Sequence, residues 1–375
     1  MERIYLDNNA STATAPEVIK GMHAALALGL ANPSSTHSFG REARAKLIEA
    51  REEIAQFFGV RPHELIFTSG GTEALNLLIH GTVNSLNQGK IITSDIEHSA
   101  VETTLASLEK KGWVVDRLAA GLYGAVTLDQ VESAIDENTR MIVLSSANNE
   151  TGVKTPIEAI ASLAEKRGLP FIVDGVASLG KDFISLPLGV SGVAFSSHKI
   201  HGPKGVGVAI IRSRLKIHGI LTGGPQEFGK RAGTENLEGI LGFACALRLL
   251  KKELPQAIDH MNSLRDEFEQ AIISHCQAQI NGLGPRVSNV TNLAFSHIDG
   301  ETFLIHLDMA GIAASHGSAC SSGSLEPSRV LLRMGVPNDL AKSSIRFTLS
   351  RFTTKEEIER AIHIVTSLFS EFCNL

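Results

Sequence analysis

The chain has 375 residues, 43% of them hydrophobic and 20% charged, with 35 basic and 40 acidic side chains and a net charge of −5. This describes an ordinary globular protein with room for one large and one smaller core. Its well-mixed charges imply no nucleic-acid or membrane partner, and no apolar run approaches the roughly 20 residues of a membrane span.

In chain order, the N-terminus enters the apolar run Ile4-Tyr5-Leu6 without a charged leader or cleavage site, so a signal peptide is not expected and the cytosol is the expected compartment. Strong helical periodicity follows over 41–58. Short β-branched runs then alternate with helical patterns. Strands are expected over 64–68, 90–94, 141–146, 170–174, 192–196 and 205–211, and helices over 71–83, 98–111 and 157–167. Such alternation predicts a mostly parallel sheet covered on both faces. Two long helices, 235–252 and 255–275, come next. The remainder mixes strands at 289–296 and 344–349 with helices at 301–309 and 355–372, a pattern that suits a smaller α+β domain. The four cysteines, Cys245, Cys276, Cys320 and Cys373, contain no Cys-x-x-Cys, so neither a disulfide framework nor a zinc site is expected.

The chemistry gathers at strand ends. Lys199 lies in Ser196-Ser197-His198-Lys199, twenty-five residues after Asp174 in Phe171-Ile172-Val173-Asp174. A lysine just past a strand can form a Schiff base with an aldehyde cofactor. An aspartate ending the preceding strand can keep a pyridine nitrogen protonated. Pyridoxal phosphate needs these two groups. Thr68-Ser69-Gly70-Gly71-Thr72-Glu73 runs from strand into helix, where glycines, a hydroxyl and a helix N-terminus suit a phosphate; a plain αβ junction is an equal reading of that motif alone. His98 follows a strand and can stack on a flat ring or move protons, or simply begin a helix. Asn148-Asn149 can hydrogen-bond a ring oxygen or a carboxylate, or build a turn. Arg346, in a strand, can clamp a carboxylate or form a structural ion pair. Cys320 sits in Ser318-Ala319-Cys320-Ser321-Ser322-Gly323-Ser324, a composition with little to pack, which predicts a mobile segment and suits a usable thiolate, although a chance loop cysteine is the favoured reading of that segment alone.

Together these segments resemble the cysteine desulfurases of the NifS/IscS type. So do Tyr5-Leu6-Asp7-Asn8-Asn9-Ala10, Asn32-Pro33-Ser34-Ser35-Thr36-His37, Gly223-Gly224-Pro225-Gln226-Glu227, Arg231-Ala232-Gly233-Thr234-Glu235-Asn236 and Arg346-Phe347-Thr348-Leu349-Ser350-Arg351. The resemblance implies an α/β fold, the pyridoxal-phosphate-dependent transferase fold type I. Its mostly parallel central sheet would carry helices on both faces, beside a smaller α+β domain. Residues 15–255 would form the large cofactor domain, with 1–14 and 256–375 the small domain carrying the Cys320 loop.

Position by position, the resemblance makes Lys199 the Schiff-base lysine, Asp174 the partner of the ring nitrogen and His98 the residue stacked on the ring. Thr72, Ser196, His198 and the backbone at Gly71 become phosphate ligands. Thr234 becomes a contact to the other subunit's phosphate, hence a homodimer. Asn149 and Arg346 become ligands of the substrate carboxylate, with Asn149 also near the cofactor, and Cys320 the sulfur acceptor. The implied reaction takes sulfur from L-cysteine, leaving L-alanine and a persulfide on Cys320. Lys199 removes the α-proton and the Cys320 thiolate attacks the substrate sulfur. The long loop ending in Ser324-Leu325-Glu326-Pro327-Ser328 implies direct transfer to a partner, an iron–sulfur scaffold or a tRNA-thiolation protein. No resident metal is expected, only a transient iron–sulfur contact at Cys320.

Three positions depart from the family pattern. Ala177 stands where glutamine usually donates to the cofactor's ring oxygen, Thr155 replaces another glutamine, and Phe228 replaces an arginine. Losing one hydrogen bond to the ring oxygen costs about 1–3 kcal/mol. The alternatives are another fold type I lyase, selenocysteine lyase-like or β-eliminating, and a degenerate, partner-dependent member. Cys320 argues against elimination, which needs no acceptor thiol. The presence of Lys199, Asp174, His98, Cys320 and Arg346 argues against decay.

Overall fold

The computed structural model describes residues 3–317 and 326–373. Its strands are β1 (Ile4–Tyr5), β2 (Leu65–Thr68), β3 (Lys90–Ser94), β4 (Val114–Leu118), β5 (Thr139–Ser145), β6 (Phe171–Asp174), β7 (Gly192–Ser196), β8 (Gly207–Ile211), β9 (Ala278–Ile280), β10 (Val290–Phe295), β11 (Ile312–Ala313) and β12 (Ser344–Thr348). The helices are α1 (Pro16–Ala27), α2 (Ser38–Phe58), α3 (Gly71–Val83), α4 (Ser99–Glu109), α5 (Leu128–Ala134), α6 (Ile157–Arg167), α7 (Leu237–Cys276), α8 (Gly300–Met309), α9 (Arg329–Arg333), α10 (Asn338–Lys342) and α11 (Lys355–Cys373).

Seven strands form the central sheet in the order β2-β8-β7-β6-β5-β3-β4. The β7-β6-β5-β3-β4 portion is parallel, whereas β8 runs antiparallel to both β7 and β2. The mostly parallel sheet is therefore as expected, with an antiparallel corner that strand composition does not encode. Alternate side chains explain the covering of both faces. Ile92, Ile142, Leu144, Phe171, Val173, Val193, Phe195, Val208 and Ile210 are buried with residues of α2, α6 and the first half of α7. Their neighbours Ile66, Ile91, Met141, Val143, Ile172, Ala194, Ala209 and Ile211 are buried with α3 and α4.

A second apolar cluster joins Ile4 and Leu6 to the far half of α7, to β10 and β12, and to α8 and α11, around Phe268, Phe295, Phe303, Phe347 and Phe369. Here β12, β10 and β9 pair antiparallel, while β1 pairs parallel with β11.

Several elements depart from expectation. The two long helices are one, α7, which runs 40 residues through Pro255. A proline costs the helix one backbone hydrogen bond, and burial of Leu250 before it and of Ala257 and Ile258 after it favours continuation of the helix across it. The expected domain boundary at 255/256 thus falls inside a helix. β4, α1 and α5 were not signalled: β4 is an edge strand with Asp116 and Arg117 at its centre, so its apolar pattern is broken. Among the described residues no helix is long and apolar enough to cross a membrane.

Candidate active site

The carboxyl ends of β3, β5, β6 and β7 open on one edge, where ligands of such sheets bind. A cavity of about 180 Å³ lies there, lined by Gly71, Thr72, His98, Asn149, Asp174, Ala177, Lys181, Ser196, His198, Lys199 and Arg346, together with Asn9 and Ala10. Nine of the eleven predicted site residues therefore meet; the exceptions are Thr234 and Cys320. Thr234 is exposed and lines a separate small cavity with Thr68, Gly205 and Arg231. Cys320 lies outside the described residues. A larger cleft of about 980 Å³, bordered by Leu128, Ile157 and Phe183, contains the Lys154–Asp182 ion pair at 2.9 Å but none of the eleven.

Each side chain is set by its element. Asp174 ends β6, is 5% exposed, and accepts a hydrogen bond from the Val176 N–H at 2.9 Å. Burial raises its pKa, opposed by His98, that N–H and Lys199. A carboxyl so placed calls for a cationic partner. His98 is the N-cap of α4, and its Nδ1 accepts from the Ala100 N–H at 3.1 Å. Nδ1 therefore carries no proton, and burial, with Lys199 and Arg329, lowers the pKa against the pull of Asp174. The ring is held neutral.

Lys199 closes a short 3₁₀ turn after β7. Its Nζ donates to the backbone oxygens of Asn9 and, at 3.0 Å, Ala10. The neighbouring His198 shares a hydrogen bond with the Ser11 hydroxyl at 3.2 Å. Burial and the nearby Lys199, Lys181 and Lys204 push its pKa down to about 4. Lys181, buried on the same wall, donates to the Lys199 carbonyl. Burial, then Lys199 and Arg351, lowers it to about 7.

At the other end, α3 has Gly70 as its N-cap and so no side-chain cap, which leaves its first N–H groups offered outward. A Cβ at Gly71 would sit 2.7 Å from the Val176 side chain, so glycine is required for this close approach. A shallow depression lined by Ser11, Gly70, Gly71, Thr72, Ser196, His198 and Lys204 continues from there. Hydroxyls, backbone N–H groups and a helix N-terminus make this a fitting seat for a phosphate. Arg346 is 1% exposed; it donates to Asp7 Oδ1 at 2.8 Å and to the Asn149 carbonyl at 3.2 Å, while its Nε is buried without a partner. The ion pair weighed from the sequence thus exists, and one donor is left over. Ala177 presents only a methyl group, packed with Ala147, Val287 and Val290.

Sequence reasoning assigned no role to Asn9, Ala10, Lys181 or Glu97. Glu97 is buried, accepts hydrogen bonds from the hydroxyls of Ser94, at 2.6 Å, and Ser145, and is pushed up to about 7 by burial against those bonds. The available signals were the family-like segment that contains Asn9 and Ala10, and a charged residue beside a chemical motif, as with Glu97 before His98.

The geometry of a lysine, an aspartate, a neutral histidine and an anion seat around one small cavity matches pyridoxal-phosphate chemistry. Residues 4–361 match the class-V aminotransferase family. The chain is 41% identical over 373 residues to the cysteine desulfurase IscS of Dictyoglomus turgidum, covering 98% of this chain and 95% of that one. It is 39% identical over 372 residues to a cysteine desulfurase of a Nostoc species, covering 98% and 93%. A solved NifS-like protein superposes with a TM-score of 0.92 at 33% identity, covering 98% of this chain and all of the other. A structure described as SspA in complex with cysteine superposes at 0.82 and 31% identity, covering 94% and 100%. The chain therefore belongs to the class-V aminotransferase family and, within it, to the cysteine desulfurases of the NifS/IscS type.

Proposed function

We propose that the chain removes sulfur from L-cysteine and deposits it on Cys320, leaving L-alanine. The observation that carries this reading is the convergence of Lys199, Asp174 and neutral His98 on one cavity beside the uncapped start of α3. Pyridoxal phosphate, when bound, would supply an aldehyde carbon and a protonated ring that takes up negative charge. Its phosphate would meet Gly71, Thr72, Ser196 and His198, with Thr234 of a second copy completing the seat in a homodimer.

The residues divide the work. Asp174 would hold the proton at the ring nitrogen by its charge. His98, neutral, would be the residue against the ring. Arg346 and Asn149 hold the substrate carboxylate, with the leftover Arg346 Nε as a donor. Lys199 Nζ takes the α-proton. The Cys320 thiolate attacks the substrate sulfur, the carbon–sulfur bond breaks toward carbon, and a proton caps that carbon. Cysteine and the Cys320 thiol are thus converted to alanine and a persulfide, with no external oxidant. In this reading residues 15–255 carry the cofactor, and 1–14 with 256–375 carry the acceptor thiol. The persulfide then passes in the cytoplasm to a scaffold or tRNA-thiolation protein, with an iron–sulfur contact at Cys320 only in passing.

The test is product analysis of the cofactor-loaded protein with L-cysteine and a reductant, beside Cys320→Ala. Alanine and sulfide in equal amounts, both lost in the variant, are expected. Pyruvate and ammonia, indifferent to the substitution, would overturn the reading in favour of elimination.

A further inference from the structure

The turn that carries His98 is held from outside. After β3 the chain passes through Asp95, Ile96 and Glu97 before α4 begins. Three consecutive carbonyls there need partners. The Ile96 oxygen accepts from the Asn148 side-chain amide at 3.0 Å. The oxygens on either side, of Asp95 and Glu97, accept from the two terminal nitrogens of Arg329 at 3.0 and 2.5 Å. One guanidinium thus brackets Ile96 and holds the carbonyl of Glu97, the residue before His98.

Arg329 is itself firmly rooted. It is the first residue of α9, whose N-cap Ser328 accepts from the Leu331 N–H at 3.2 Å and donates to the buried Glu150 carboxyl. Val330 and Leu331 of α9, with Met334 just after it, pack with Ile96 itself and Ala120. α9 also begins four residues after the stretch 318–325 that contains Cys320.

We infer that Arg329 is a positioning residue: it ties the His98 turn to the helix that follows the Cys320 stretch, and so fixes the His98 ring. The inference rests on the reading of His98 as the group covering the cofactor ring. A planar fork with two parallel donors suits two carbonyls two residues apart in a way a single ammonium does not. The charged groups that act on His98 are Asp174 from β6, Lys199 from the turn after β7, and Arg329 from α9. Removing Arg329 both loosens the turn and takes away a cation that keeps the ring neutral.

The experiment uses the full-length cofactor-loaded protein and the variants Arg329→Gln, Arg329→Lys and Val330→Ala. Arg329→Gln should lower kcat roughly ten- to a hundredfold while KM changes little, the pattern of a misplaced group rather than weakened substrate binding. It should alter the circular dichroism of the cofactor's visible band and move the acid limb of the kcat/KM profile to higher pH. Arg329→Lys, which keeps the charge and one donor, should recover part of both. Val330→Ala loosens α9 without touching the carbonyls, and should lower the melting temperature while leaving the visible band unchanged.

An unchanged kcat and visible band in Arg329→Gln would overturn the inference. So would Val330→Ala reproducing its spectral change, because the effect would then be general loosening. The His98 imidazole titration in apoprotein, followed by proton NMR, should shift upward in Arg329→Gln; it separates failure of this inference from failure of the functional reading, which the Cys320→Ala assay decides.

Discussion

The two walls of the active-site cavity treat burial in opposite ways. On the side of β3 and β6, Asp174 on the cavity and the buried Glu97 outside its lining are acids driven toward their protonated forms. On the side of the turn after β7, Lys181 and His198 are bases driven toward their neutral forms. Each wall sheds the charge it would carry in water, because burial disfavours whichever form is charged. A ligand with a cationic ring nitrogen at one end and anionic groups at the other would restore both. The difference teaches that the cavity is polarised for such a ligand before anything binds.

The largest expected effect tests whether the basic wall has one working amine or two. Lys199→Ala should reduce alanine formation on the order of a thousandfold or more. A small loss would mean that Lys181 can serve in its place, and the division between the two lysines would fall. On the acid wall, Asp174→Asn should lower kcat roughly a hundredfold and weaken cofactor retention during dialysis. Retention of most activity would show that the ring nitrogen needs no anionic partner here.

The next effect is on stability and depends on pH. Glu97 titrates at about 7 in the fold against an ordinary 4.5, so between those values the folded state holds more protons and this group's contribution falls as pH rises. Lys181 titrates at about 7 against an ordinary 10.5, so between those values the unfolded state holds more protons and stability rises with pH. The two contributions are jointly poorest near neutrality. Glu97→Gln and Lys181→Met should each stabilise the apoprotein at pH 7, by a few kcal/mol at most. Glu97→Gln should flatten the acid side of the melting-temperature profile and Lys181→Met the alkaline side. Identical profiles for both variants would dissolve the contrast between the walls. The smallest effect is at Ala177, where Ala177→Gln should shift the pH midpoint of the cofactor's visible band while kcat stays within about tenfold, the scale of one hydrogen bond.

How much of this was legible in the sequence follows from where each interaction runs. α3 and β3 lie where periodicity placed them, at Gly71–Val83 and Lys90–Ser94. His98, expected as the first residue of a helix, is its cap, because its ring nitrogen takes the N–H of Ala100. Asp174, Lys199 and Asn149 were readable because strand ends in an alternating α/β pattern share one edge. Lys199 reaching Asn9 joins residues 190 apart, and Arg329 reaching Asp95 joins residues 234 apart. No local pattern encodes such contacts. The direction of β8 was hidden for the same reason, since a buried apolar run reads alike in either orientation.

The single helix α7 has a further consequence for dissecting the molecule. Forty residues at about 1.5 Å each make a strut about 60 Å long. Its first half is buried in the large core through Leu237, Phe243 and Leu250, and its second half in the phenylalanine cluster through Leu264, Phe268 and Ile272. A cut at Pro255 would leave each fragment with half a helix and an uncovered apolar stripe. The two cores should therefore melt in one transition, and neither half, expressed alone, should yield a stable protease-resistant fragment.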